Sequence, residues 1–201
     1  MFALVESGSI IKMLSGNQGI TIDGIQHPRA IYTLWTEAER NAIGIYTVEY
    51  DNSNKKDEKW YINTNQSYAF GSGKVTATYG TATAKAHADA NFTAQDETDG
   101  LGTEGELKSR GLKYNLIQDV KLEAANELAK TDWYVVRKSE ESTAIPSAIT
   151  THRRLVRSKA AAMETSITNA SDTPALETLY TYTTDSDGVH SRPLAEIPTL
   201  E

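Results

Sequence analysis

Hydrophobic spacing changes once along this chain, and that change limits the possible folds more than any other feature. Up to about Tyr79, apolar residues come in short β-branched runs broken by glycine-containing turns. From Glu106 onward they recur every three or four residues instead. The first pattern suits strands and the second suits helices, because side chains alternate across a strand but return to one helix face about every 3.6 residues. The expected fold is therefore α+β. It comprises a β-rich module over residues 1–80 with one short helix, a linker over 81–105, an antiparallel helical hairpin over 106–170, and an extended tail over 171–201.

In the first module Ile10-Ile-Lys-Met-Leu14 and Gly19-Ile-Thr-Ile-Asp23 suit a small antiparallel sheet. Glu6-Ser-Gly-Ser9, Ser15-Gly-Asn-Gln-Gly19 and Ile22-Asp-Gly24 supply its turns, since glycine tolerates the positive φ that tight turns require. Thr36-Glu-Ala-Glu39 has capping-box spacing, which predicts a short helix from Glu37 to about Ile43. Gly44 offers its left-handed exit. Ile45–Tyr50, Trp60–Ile62 and Lys74–Tyr79 then resume β character, the last after the loop Phe70-Gly-Ser-Gly73.

Residues 80–105 are rich in Ala, Thr, Asp, Glu and Gly and poor in the large apolar side chains that nucleate a core, so they read as a linker. Beyond them Leu107, Tyr114, Ile117, Val120, Ala124 and Leu128 form one helical stripe. Ile149, His152, Val156, Lys159 or Ala160, Met163 and Ile167 form another, with Ser147 as the expected N-cap after Pro146. The joint from Thr131 to Pro146 reads as a loop carrying Trp133 and Tyr134. After Ser171 periodicity is lost. Asp172-Thr-Pro174, Asp185-Ser-Asp-Gly188, Pro193 and Pro198 mark the tail, with Leu179–Thr183 as a candidate strand.

A formal charge of −7 and a sequence pI near 5.2 oppose binding to nucleic acid or to an anionic membrane surface. Neither partner is expected. No cysteine occurs, which excludes disulfides, thiolate metal sites and thiol catalysis. No apolar stretch approaches the roughly 20 residues needed to span a bilayer, and Met1–Glu6 lacks the basic and long apolar regions of a signal peptide.

No catalytic constellation is legible, and neither a cofactor nor a metal is expected. His27, His87, His152 and His190 are scattered, without the paired spacing of a metal site. The pairs Gly16/Gly19 and Gly71/Gly73 lack the Lys, Ser or third Gly of phosphate and dinucleotide loops, and read as hairpin turns. Asp96-Glu-Thr-Asp99 lacks the alternating ligands of a calcium loop. Trp35, Trp60 and Tyr61 suggest a sugar platform, but aromatic residues at these spacings more often fill a small core. The densest basic cluster is Arg153, Arg154, Arg157 and Lys159, joined by Arg137 and Lys138. It suits an acidic partner or a phosphate, or else forms a solvated helix face with ion pairs to Asp119, Glu123 and Glu127 across the hairpin.

The segments Leu122–Arg137, Ala144-Ile-Pro146 and Thr151-His-Arg-Arg-Leu-Val-Arg157 together resemble a C-terminal helical hairpin of phage tail proteins and tail-fibre-assembly-like proteins. There a helix ends in a small residue followed by Thr-Asp-Trp, and the second helix carries a Tyr-Arg-x-x-Val/Leu-Arg pattern. His152-Arg153 stands here where that pattern has Tyr-Arg. The opening residues Met1–Val5 and Gly19–Ile22 also resemble the start of small phage virion proteins. The resemblance implies that Asp132 caps or pairs, that Trp133 plugs the open end of the hairpin, and that Arg153 or Arg157 reaches back to the loop.

The expected function is accordingly that of a non-enzymatic structural component of a tailed-phage virion, in the tail, baseplate or fibre-attachment region. It would be made in the bacterial host cytoplasm and carried in the virion. Other tail or fibre proteins, or further copies in a symmetric array, are the expected partners. The alternative is a tail-fibre assembly chaperone, and an unrelated bacterial binding module is a third reading. Trp133, Tyr134, Arg137, His152, Arg153, Arg154 and Arg157 are the interface candidates.

Overall fold

A computed structural model describes residues 1–64 and 66–200. The chain is α+β, with most strands in the N-terminal part and the long helices in the C-terminal part. It divides into two units, 1–83 and 84–201.

In the first unit, β1 (Phe2–Glu6) and β2 (Ser9–Leu14) form a hairpin, as do β3 (Ile20–Ile22) and β4 (Ile25–His27). Two one- to two-turn helices follow, α1 (Ile31–Leu34) and α2 (Glu37–Ala42), then β5 (Ile45–Asp51), the short β6 (Tyr61–Ile62), β7 (Ser67–Gly71) and β8 (Lys74–Thr78). Three hairpins turn through the same chemistry: Ser7-Gly8, Asp23-Gly24 and Ser72-Gly73 all have positive φ at both positions. Such turns twist in the same sense as the strands they join. The main sheet runs β2-β1-β5-β8-β7, with β5 and β8 parallel and the other neighbours antiparallel.

Alternation along these strands places apolar residues on both faces of the sheet. Ala3, Val5, Val48, Val75 and Ala77 pack on one face, with Tyr46, Tyr68 and Phe70 against them. Leu4, Leu14, Ile31, Tyr32 and Ile45 pack on the other, with Phe2, Trp35 and Ile43. A sheet buried on both faces needs a cover on each, and α1 supplies Ile31 and Tyr32 to the second. The sequence pattern predicts one short helix, and α1 is a second. Trp60 and Tyr61 are buried and Trp35 packs on the core, so these aromatic residues form no exposed sugar platform.

The capping box forms as its spacing predicts. The Thr36 N–H donates to Glu39 Oε2 at 2.7 Å, and the Glu39 N–H donates to Thr36 Oγ1 at 3.3 Å. Gly44 follows at φ +79°, where an added Cβ would lie 2.6 Å from the Val5 carbonyl oxygen. Gly44→Ala is therefore expected to cost about 1–3 kcal/mol from backbone conformation alone, with the clash in addition. A urea-unfolding midpoint equal to that of the parent chain would refute this.

The second unit departs from expectation in three places. The stretch predicted as a linker, 81–105, contains β9 (Thr83–Ala84), β10 (Ala90–Asn91) and α3 (Ala94–Thr98), and β10 pairs with β11 (Leu107–Ser109). Polar ties order it where apolar burial is lacking. Thr93 and Asp96 form a second capping box, Lys108 Nζ donates to Asp96 at 2.6 Å, and Arg110 Nη1 donates to Asp89 at 2.6 Å. The hydrogen bond from Lys108, followed by those from the Thr93 N–H and hydroxyl, lowers the Asp96 carboxyl to about 2. A depressed carboxylate contributes stability that is present above its ordinary value near 3.8 and is lost as pH falls through about 2. A carbon-detected NMR titration should place the Asp96 midpoint near 2 and move it upward in Lys108→Met; a midpoint near 3.8 in the parent chain would rule this out.

Next come α4 (Leu112–Ala129) and α6 (Ser147–Asn169), which run antiparallel: Lys113 near the start of α4 bonds Thr168 near the end of α6, and Glu127 near the end of α4 meets His152 near the start of α6. The segment between them is largely helical, α5 (Asp132–Glu141), where a loop was expected. The α6 stripe is buried at Ile149, His152, Val156, Ala160, Met163 and Ile167, with Ala160 and not Lys159 at the contested position. Pro146 occupies the N-cap, and Ser147 starts the helix without capping it. In α4 the buried stripe is Leu116, Val120, Ala124 and Glu127, one residue away from the expected Ile117 and Leu128. Tyr114 is exposed beneath the Arg110 guanidinium, 4.0 Å from its ring centroid, and Leu107 lies in β11.

The third departure is the tail. Thr173–Tyr180 is a helix, α7, and β12 (Thr183–Thr184) pairs with β13 (His190–Ser191). Asp172-Thr-Pro174, expected as part of an extended tail, starts this helix: Asp172 accepts from the Ala175 N–H at 2.8 Å, and proline tolerates the first turn, where its missing N–H breaks no bond. Leu176, Leu194 and Ile197 are buried, so the tail contributes to the core of its unit.

Candidate functional site

The segment that carries most of the interface candidates begins at the end of α4. Thr131 is fully buried, and its hydroxyl donates to the Leu128 carbonyl at 2.9 Å. Arg153, in the second turn of α6, extends across this corner. Its Nη1 lies 2.7 Å from both Leu128 O and Thr131 Oγ1 and 2.8 Å from Asp132 Oδ1. One guanidinium thus satisfies carbonyl and hydroxyl oxygens left over at a helix end, and fixes where α5 departs. Arg157 Nη1 in turn approaches the Arg153 carbonyl at 3.4 Å.

Beside this clasp Glu127 is buried and fully engaged. Its Oε1 lies 3.1 Å from His152 Nε2 and accepts from the Leu200 N–H at 2.7 Å, while its Oε2 accepts from Lys130. The Lys130 hydrogen bond, then that of Leu200, holds the Glu127 carboxyl below its ordinary value despite burial. A carboxylate buried on a helix stripe is costly unless its oxygens are paired, and here each is. The contact also ties the end of the chain to α4.

The interface candidates therefore separate into two groups. His152 and Arg153 are buried and consumed by internal partners, so they do not present a surface. The basic cluster pairs differently from the expected ladder as well: Arg153 finds Asp132, not Asp119, Glu123 or Glu127. Trp133 is half exposed at 52% and does not plug the end of the helical pair. Its ring lies 4.0 Å from that of Tyr134, and the Arg137 guanidinium sits 4.6 Å from the Trp133 centroid and 5.5 Å from that of Tyr134. Cation–π attraction of this kind orders the three side chains as one platform.

Helix α5 itself buries no residue. Besides Trp133 it exposes Val135 at 41% and Val136 at 52%, which periodicity alone did not single out because the segment read as a loop. Val135 also helps line a groove of about 330 Å³ with Ile145, Thr150, Arg153, Arg154 and Arg157. Chemically this arrangement is a partly apolar groove, floored by Val135 and Ile145 and bordered by guanidinium groups, while Trp133 and Val136, three residues apart, share a different face of α5. It holds no nucleophile with an adjacent base. Among the described residues, no group of three or more His, Asp or Glu stands in position to hold a metal ion, and no helix is long and apolar enough to cross a membrane.

Comparisons with protein-family models, with curated proteins and with solved structures found no match.

Proposed function

We propose that this chain is a non-enzymatic structural component of a tailed-phage virion, placed in the tail, baseplate or fibre-attachment region and acting through protein contacts. The observation that carries the reading is α5: a ten-residue helix with no buried residue that exposes Trp133, Val135 and Val136. Trp133 and Val136, three residues apart, lie on one face of this helix beside the Tyr134 ring, and a contiguous exposed apolar patch rimmed by polar residues is the kind of surface that a partner covers. The Thr-Asp-Trp segment, which opens this helix, also carries the resemblance to phage tail and tail-fibre-assembly-like proteins. In a virion the partners would be other tail or fibre proteins or further copies of the chain in a symmetric array.

The same helix suits a tail-fibre assembly chaperone, which would hold a fibre transiently and depart. Quantitative mass spectrometry of gradient-purified particles separates the two. A fixed ratio to the portal or major tail protein, in multiples of about three or six, is the expected result. Absence from particles with abundance in the infected-cell lysate would overturn the structural reading and favour the chaperone.

A further inference from the structure

We propose that α5 and the adjoining groove on α6 bind an acidic segment of a partner protein, seating an apolar side chain against Val135 and Ile145 with flanking carboxylates on Arg154 and Arg157. This deepens the reading of α5 as a protein-binding helix and rests on that alone, not on the assignment to a virion.

Charge identifies the occupant. The chain carries a net charge of −7, yet from Ser142 to Met163 it holds Arg153, Arg154, Arg157 and Lys159 and no acidic residue. The charge of Arg153 is taken up by Asp132 at 2.8 Å. Arg154 and Arg157 have no carboxylate within ion-pair distance among the described residues, and both are exposed. They line the same groove as Val135 and Ile145. An unpaired guanidinium at the rim of an apolar groove attracts carboxylates and accepts them in two-point geometry, while the apolar floor rewards a side chain that leaves water. A purely apolar ligand leaves the two charges unanswered, and a uniformly anionic polymer leaves the floor uncovered. A segment that alternates carboxylates with a leucine, isoleucine or aromatic residue satisfies both.

The test is affinity selection of a synthetic library of 12-residue peptides, randomised over Asp, Glu, Ser, Gln, Leu, Ile, Phe and Trp, on the full immobilised chain, read by mass spectrometry. The control is Arg154→Glu/Arg157→Glu, whose exposed positions leave the core untouched and whose unchanged melting temperature is checked first. Retained peptides should carry at least two carboxylates around an apolar residue. One such peptide, fluorescently labelled, should bind more than about tenfold more weakly to the double variant and to Val135→Asp. Equal retention by the parent and the double variant overturns the proposal, as does no retention by either. Retention of acidic peptides regardless of apolar content, matched by binding of a 12-nucleotide single-stranded DNA, overturns it in favour of a general polyanion site. Absence of the chain from virions bears on the virion assignment and leaves this result standing.

Discussion

Arg153→Leu is expected to lower the thermal midpoint of the chain by roughly 10 °C, corresponding to about 2–3 kcal/mol. The leucine keeps apolar volume but removes the donor that reaches Leu128 O, Thr131 Oγ1 and Asp132 Oδ1. The buried carbonyl and hydroxyl then lose a charged donor at a place water does not easily reach, and the Asp132 end of α5 loses its anchor. The exposed neighbour change Arg154→Leu removes the same charge without a buried partner, and should stay within about 0.5 kcal/mol of the parent chain. Differential scanning fluorimetry of the two variants side by side decides the matter. If Arg153→Leu melts like the parent, the clasp is not structural and Arg153 returns to the interface candidates.

The second large effect is expected in the first unit. Ile45→Ala should destabilise it by about 2–5 kcal/mol, because Ile45 is fully buried among Leu4, Leu14, Ile31 and Tyr32 and its removal leaves a cavity as well as lost transfer energy. Ile11→Ala, on β2 with its side chain largely in water, is the matched control and should be nearly silent. Urea unfolding followed by tryptophan fluorescence reads both. A midpoint for Ile45→Ala within error of that for Ile11→Ala would mean the packing on this face of the sheet is not what holds the unit.

Much of the local structure is legible in the sequence. The glycine turns at Gly8, Gly24 and Gly73, the capping box at Thr36 and Glu39, and the buried stripe of α6 follow from short-range rules, since each involves residues only a few positions apart. Such interactions depend on spacing and residue type, both of which a sequence displays. The change of hydrophobic period likewise announced an α+β chain with strands first.

What the sequence could not display lies in pairs far apart along the chain. Glu127 sits on a buried stripe because His152, Lys130 and the Leu200 N–H satisfy it, and a carboxylate at that position gives no sign of such partners in advance. His152, which lies on the α6 stripe, and Arg153, which the resemblance implies reaches back to the loop, are also interface candidates by sequence and are internal, while Trp133, expected as a plug, is exposed. The stretch over 81–105 holds only Phe92 and Leu101 as large apolar residues, and took its order from the Thr93–Asp96 capping box together with ion pairs to Lys108 and Arg110, which lie beyond it in sequence. By itself the sequence determined the glycine turns, the Thr36 capping box, the α6 stripe and the overall class, because these are set by near neighbours and by the hydrophobic period. Only the tertiary structure decided which polar groups are buried, since burial of a charge depends on whether distant partners arrive to pair it.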